Sequence, residues 1–143
     1  LGCTYYSALR CDDNAYLIAR AVQFYAPGIP QVYYVGLLAG ENDIESMKTN
    51  PDPRTINRHT FTRAEIDTAV QKPVCQQLYK LMRFRNTYEA FDGDIEIGDD
   101  KKDGTLTITW KKDIFHTTLE ADFRTLTYRI TYYDVLSKRD CTL

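Results

Sequence analysis

The hydrophobic period changes partway along the chain: stretches of helical period occur before Phe91, and after it the apolar positions alternate. Asp12-Asp13 stands before an apolar stretch running from Ala15 to Tyr25. An Asp side chain accepts a bond from a free N–H of the first helical turn, so a helix is predicted to start there. Leu17, Ala21 and Phe24 fall at i, i+4 and i+7 and mark one face of it. Pro27-Gly28 stops the helix, because Pro cannot continue it and Gly accepts the tight turn that follows. Ile29-Pro30-Gln31-Val32-Tyr33-Tyr34-Val35-Gly36 is short, β-branched and aromatic, and nearly continuous in apolar character. That pattern predicts a strand buried on both faces, as in a parallel sheet or barrel.

From Leu37 to Phe61 no period holds, and Gly40, Asn42, Pro51 and Pro53 interrupt the stretch. A loop of this length is functional or disordered in most folds, and α/β barrels keep their sites on the loops that follow strands. A short helix near Asp43–Lys48 is predicted within it. Thr62-Arg63-Ala64-Glu65 has capping-box spacing and predicts a helix start. Lys72-Pro73 opens another helix, with Pro tolerated at the first position. Val74, Leu78, Leu81, Met82 and Arg85 share one face of it, and packing accounts for that stripe.

In the last third, Leu106, Ile108 and Trp110 alternate with polar residues. Phe115, Thr117, Leu119, Ala121 and Phe123 repeat the alternation, followed by Tyr128, Ile130 and Tyr132. Asp92-Gly93, Asp103-Gly104 and Lys112-Asp113 read as turns. An antiparallel sheet with one buried face is predicted.

The first region has a physical difficulty on its own. One fully buried strand with two or three helices cannot cover both of its faces. Val32, Tyr33, Tyr34 and Val35 would meet water at a cost of about 1.5–3 kcal/mol for each large side chain. Further strands and helices upstream would supply the cover. The chain also begins Leu1-Gly2-Cys3 without Met, so its true N-terminus is expected to lie further upstream.

Composition narrows the function classes. The 143 residues suffice for one ordinary domain, and the hydrophobic and charged fractions, 43% and 27%, are those of a globular protein. A formal net charge of −2 provides no positive field for nucleic acid or an anionic membrane. The Lys101-Lys102 and Lys111-Lys112 pairs are read as solvated turn residues. No apolar run reaches the length of a membrane span. Cys3, Cys11, Cys75 and Cys141 match no zinc spacing and are expected to be free thiols in a reducing compartment, hence the cytoplasm. One disulfide remains compatible with the sequence. The 11 Tyr, 6 Phe and one Trp suit a packed core and also a sugar site, where aromatic faces meet apolar sugar faces.

Ala26-Pro27-Gly28-Ile29-Pro30-Gln31-Val32-Tyr33-Tyr34-Val35-Gly36 resembles the last barrel strand of the α-amylase superfamily, with its Pro-Gly-x-Pro element leading to Tyr-Tyr-x-Gly. Cys3-Thr4-Tyr5-Tyr6-Ser7-Ala8-Leu9, Leu37-Leu38-Ala39-Gly40-Glu41-Asn42-Asp43 and Ile56-Asn57-Arg58-His59, in that order and spacing, resemble the sucrose phosphorylase family. The resemblance covers about residues 1–91 strongly and the β-rich tail weakly. It implies an α/β region joined to an all-β one. Residues 1–90 would form the C-terminal end of a (β/α)8 TIM barrel, with its helix, final strand, active-site loop and final helix. Residues 91–143 would form a small antiparallel β domain.

The chemistry so implied is retaining, double-displacement glucosyl transfer from sucrose to phosphate. An Asp attacks the anomeric carbon while a Glu protonates the leaving fructose, and a further Asp holds sugar hydroxyls. Relatives act on glucosylglycerol, glucosylglycerate or sucrose 6-phosphate. The implied partners are a sugar and inorganic phosphate as co-substrate, with no cofactor and no metal; a homodimer is admitted. In the family these three carboxylates come from earlier barrel strands, and none of their motifs occurs here. The Asp and Glu side chains of this chain read as caps and solvated charges.

One family position does map. Arg54, in Asp52-Pro53-Arg54-Thr55, corresponds by resemblance to an arginine of the glucosyl subsite. It would pair with an upstream Asp and help hold the far hydroxyls of the glucose ring, a task that suits a rigid, permanently charged fork. Pro53 stands where relatives often carry Gly and would stiffen the loop. Asn57, Arg58 and His59 are expected to anchor the loop, because a lone His with no partner nucleophile is more often structural than catalytic. His116 reads as an exposed strand residue. A different class of function, a non-catalytic carbohydrate-binding module, would use Trp110, Tyr128 or Tyr132. Trp110 shares its strand face with Leu106 and Ile108, which favours packing.

Overall fold

The computed structural model describes residues 2–100 and 103–143, with the backbone alone at 99 and 100. The Lys101-Lys102 pair lies outside the described residues. The chain separates into two compact units, residues 2–17 with 31–80, and residues 18–30 with 81–143. They interleave in sequence because α2 (Asp13–Tyr25) and α6 (Pro73–Thr87) each begin in the first unit and end in the second.

The first unit is made of short helices and turns. Its elements are α1 (Tyr5–Ala8), the first turn of α2, α3 (Tyr34–Leu37), α4 (Ile44–Thr49), a 3-10 turn (Thr55–Asn57), α5 (Arg63–Ala69) and the first half of α6. Its interior is Tyr16, Val35, Ala39, Val74, Cys75 and Leu78, all buried. Tyr16 is fully buried, so its hydroxyl needs a partner, and it donates to the Gly36 carbonyl at 2.6 Å. Tyr79 does the same to the Leu37 carbonyl at 2.9 Å. These two bonds fix the short α3 turn, which is too small to hold itself. Gly40 is required beside it, because a Cβ there would lie 2.6 Å from Val35 Cγ1.

The second unit is a five-stranded antiparallel sheet in the order β1 (Asp94–Asp100), β2 (Thr105–Lys112), β3 (Phe115–Asp122), β4 (Thr127–Asp134) and β5 (Arg139–Thr142). Every connection joins neighbouring strands, as the turn signals imply. Register places Ile108, Leu119 and Ile130 side by side, and Trp110, Thr117 and Tyr132 in the next such row. Ile108, Trp110, Thr117, Leu119, Ala121 and Ile130 are buried, so the alternation read from the sequence is the buried face. Phe123 departs from it: it lies past the end of β3 and is exposed. The end of α2 closes this unit. Tyr25 donates to Thr117 Oγ1 at 2.7 Å, the Thr117 hydroxyl donates to the Thr131 carbonyl at 2.8 Å, and Trp110 Nε1 donates to the Tyr25 carbonyl at 2.8 Å. The Arg85 guanidinium lies 4.5 Å from the Phe91 ring centre and donates to the Gly28 carbonyl at 3.1 Å. Gly93 is needed where the 3-10 turn Glu89–Asp92 meets β1, since a Cβ would run into the Lys111 carbonyl oxygen.

The expected strand at Ile29–Gly36 does not form. Residues 29–33 are irregular and α3 follows. Ile29 is 92% exposed, and Tyr33 and Tyr34 are exposed as well. A parallel strand exists only with a hydrogen-bonded neighbour, and all five strands among the described residues belong to the antiparallel sheet. The barrel portion expected from the sequence is therefore absent from the described residues, and the regular fold is the small antiparallel sheet domain.

The predicted helices do form. α2 starts at the expected aspartates, and α4 takes Asp43 as its N-cap through a bond from Ser46 N–H at 2.9 Å. Thr62 and Glu65 make the capping box of α5, and Pro73 opens α6. Along α6, Val74, Leu78 and Leu81 are buried as read, while Met82 and Arg85 are partly exposed. Cys75 and Phe84 broaden the buried face beyond that stripe.

Candidate functional site

The candidate site is the irregular segment between Gly40 and Glu65. Its backbone makes few regular bonds, so polar side chains satisfy it. At the tip, Asn50 Oδ1 accepts from the Asp52 N–H at 3.1 Å, and Asp52 Oδ1 accepts from the Arg54 N–H at 2.9 Å. The Thr55 N–H reaches the Asp52 carbonyl at 2.9 Å, which starts the 3-10 turn. Pro53 fixes its own φ between these two bonds. Arg54 is exposed, and its guanidinium forms no ion pair among the described residues.

The base of the segment is built around His59. Its Nδ1 lies 2.6 Å from Asp43 Oδ2, and its Nε2 lies 3.2 Å from Glu65 Oε1. Asp43 also receives the Ser46 hydroxyl at 2.7 Å, and its own N–H donates to the Ile56 carbonyl at 2.8 Å. Glu65 Oε2 accepts the Thr62 N–H at 2.6 Å. The imidazole edge meets the Phe61 ring with centres 4.6 Å apart, and the His59 carbonyl accepts from the Tyr34 hydroxyl at 2.9 Å. His59 and the bonds from Ser46 hold the Asp43 carboxyl down at about 2. Asp43 in turn raises the imidazole above its ordinary value, opposed by burial and helped by Glu65. The Thr62 bonds, and then His59, lower the Glu65 carboxyl.

His59 thus anchors the loop. Arg58 is exposed and lines a recess of about 410 Å³ with Asp43, Asn50 and Asp52, while Asn57 closes the 3-10 turn. A second cavity of about 630 Å³ runs from Leu38 to Lys72 past His59 and Phe61. A third, of about 510 Å³, is lined by Tyr34, Leu37, Leu38, Phe61, Ile66 and Tyr79. Arg54 is on none of the three, although the recess beside Arg58 joins tip residues Asn50 and Asp52 to base residues Asp43 and His59.

Asp43 and Glu65 were legible only as helix caps. Their joint bond to His59 spans 16 and 6 residues, and no local pattern encodes it. The other candidates resolve into packing. Trp110 is buried with its Nε1 engaged, and Tyr132 packs against Phe84 and Tyr88 with ring centres 5.2 Å and 5.6 Å away. His116 is partly exposed, 2.9 Å from Asp140 Oδ1, and stacks on Tyr133. Lys111 and Lys112 pair with Glu96 and Glu89. All four cysteines are free thiols. Among the described residues no His, Cys, Asp and Glu group has the arrangement of a metal site, and no helix is long and apolar enough to cross a membrane.

No family model matches the chain. It is 56% identical over 132 residues to the sucrose 6(F)-phosphate phosphorylase of Thermoanaerobacterium thermosaccharolyticum, covering 92% of this chain and 27% of that protein. It is 52% identical over 110 residues to the sucrose phosphorylase of Agrobacterium vitis, covering 77% and 22%. The crystal structure of a sucrose 6F-phosphate phosphorylase from Thermoanaerobacter thermosaccharolyticum superposes with a TM-score of 0.94 at 52% identity, over 99% of this chain and 28% of that one. The chain spans about a quarter of the length of these relatives and matches their C-terminal part. With identity this high along nearly its whole length, the chain is a homologue of the C-terminal part of the sucrose phosphorylases.

Proposed function

We propose that this chain is the C-terminal part of a retaining glucosyltransferase that phosphorolyses sucrose to glucose 1-phosphate and fructose. Inorganic phosphate is the co-substrate, and no cofactor takes part. The observation that carries the reading is the sequence identity to sucrose and sucrose 6-phosphate phosphorylases over most of the chain. Residues 1–90 complete a (β/α)8 barrel and residues 91–143 form its C-terminal domain. Ile29–Gly36 becomes the last barrel strand when upstream chain supplies a neighbour, and the exposed Ile29, Tyr33 and Tyr34 are then covered. The nucleophile and the general acid come from that upstream chain. Arg54 contributes the substrate contact, pairing with an upstream carboxylate that holds the glucose hydroxyls. Four free thiols fit a cytoplasmic setting.

The test uses the full-length protein with sucrose, sucrose 6-phosphate, glucosylglycerol and glucosylglycerate, each with and without phosphate. Phosphate-dependent release of glucose 1-phosphate from sucrose supports the reading. The identity to sucrose 6(F)-phosphate phosphorylase favours sucrose 6-phosphate as the second candidate. Absence of phosphate-dependent cleavage of every α-glucoside would overturn the proposal. A carbohydrate-binding module is the less favoured reading, because Trp110 offers no open face.

A further inference from the structure

The base of the loop has a chemical peculiarity. Both nitrogens of His59 face carboxylate oxygens, Asp43 Oδ2 at 2.6 Å and Glu65 Oε1 at 3.2 Å. A carboxylate only accepts, so each contact needs an N–H on its side of the ring. A neutral imidazole carries one N–H and an imidazolium carries two. Only protonated His59 can make both bonds. In the neutral ring, one nitrogen turns a lone pair toward a carboxylate, and the longer contact to Glu65 is the one given up.

These bonds sit where the loop begins and ends. Asp43 caps α4, and Glu65 caps α5. The Asp43 N–H to Ile56 carbonyl bond closes the same base. Arg54 lies on the tip between them, held by local bonds: its N–H donates to Asp52 Oδ1, and its carbonyl accepts from the Asn57 N–H. The other charged groups around His59 are Glu41, Glu45 and Lys72, which line the adjoining cavity, and Asp52 and Arg58, which share its recess. Phe61 packs against the ring, a contact the imidazole loses if it swings away, and the Tyr34 hydroxyl holds the His59 backbone carbonyl in place.

We infer that His59 is a proton-operated positioning residue: protonated, it ties α4 to α5 and steadies the loop that presents Arg54 to the sugar, and neutral, it releases the α5 side. The inference rests on Arg54 being the sugar-contacting residue. The Asp43 and Glu65 bonds raise the imidazole, so the transition lies above the ordinary histidine value rather than below it. Sugar binding therefore weakens as pH rises, while the Asp43 bond persists.

The experiment uses the full-length protein, wild type and His59→Gln, between about pH 6 and about pH 8.5. Amide hydrogen exchange of residues 50–58, corrected for the intrinsic pH dependence, reports the loop directly. In the wild type it quickens as pH rises; in His59→Gln it is fast throughout. The sugar KM of His59→Gln exceeds that of the wild type about three- to tenfold at the acid end, one charge-assisted bond partly realised, and the gap narrows as pH rises. The kcat ratio of the two proteins stays flat. Glu65→Gln, which keeps the capping bonds, moves the wild-type transition to lower pH, and it serves as the decisive variant if His59→Gln fails to fold. Parallel exchange profiles for wild type and His59→Gln, or an unmoved transition in Glu65→Gln, overturn the inference. An unchanged sugar KM in Arg54→Lys would instead overturn the Arg54 assignment, and the exchange profiles would still decide the role of His59.

Discussion

The two units are held by different kinds of force. In the second, paired strands satisfy the backbone and a continuous apolar face from Ile108 to Ile130 is buried. Such burial is not sensitive to pH and depends on close packing. In the first, the segment from Asn42 to Glu65 closes its backbone through Asp43, Asn50, Asp52, Thr62 and His59. Each such bond contributes about 1 kcal/mol, and the charged ones depend on protonation. The comparison teaches where function can reside. A sheet with a complete ladder has little freedom to respond, while a loop held by a few polar bonds can be opened by one proton.

The largest effect should come from the sheet. Trp110→Ala removes a buried ring and strands the Tyr25 carbonyl, so urea unfolding should show a loss of about 3–5 kcal/mol with the sugar KM of the full-length protein little changed. A selective fall in sugar affinity with stability intact would break the packing assignment. Gly93→Ala should cost about 1–3 kcal/mol, since its Cβ collides with the Lys111 backbone rather than with a movable side chain. Wild-type stability there would mean that the turn can yield. Thr62→Ala removes the cap of α5 and should cost about 1 kcal/mol, read as faster amide exchange at the start of that helix.

The two units should also part company in pH. Asp43 is lowered from an ordinary value near 3.8 to about 2, so its contribution is present above 3.8 and is lost as pH falls toward 2. His59 is raised, so its contribution is full below about 6.5 and is lost as pH rises through the folded-state value. Loop exchange should be slowest between those limits and quicken on both sides, while β3 amides stay protected throughout. A loop profile as flat as that of β3 would erase the distinction.

Sequence legibility followed the same division. α2, α5 and α6 were readable because caps and periods are local signals, and β2, β3 and β4 because each alternates cleanly. β1 and β5 carry no such signal. β1 carries Asp94, Glu96, Asp99 and Asp100 around two isoleucines, and β5 is Arg-Asp-Cys-Thr; both are charged edge strands with little apolar pattern to read. Ile29–Gly36 shows the opposite limit. Its composition is that of a buried strand, but composition cannot supply the neighbour that makes a strand. Arg54 was placed by family resemblance and Thr62-Glu65 by spacing. The ring contacts of His59 join residues far apart in sequence, and folding alone brings them together.

The most direct test of the account is the sugar KM of the full-length protein carrying Arg54→Lys, measured with sucrose and phosphate. Lysine keeps the charge and loses the fork, so sugar KM should rise about ten- to a hundredfold while phosphate KM and unfolding midpoint hold. A sugar KM equal to that of the wild type would contradict the placement of Arg54 in the glucosyl subsite.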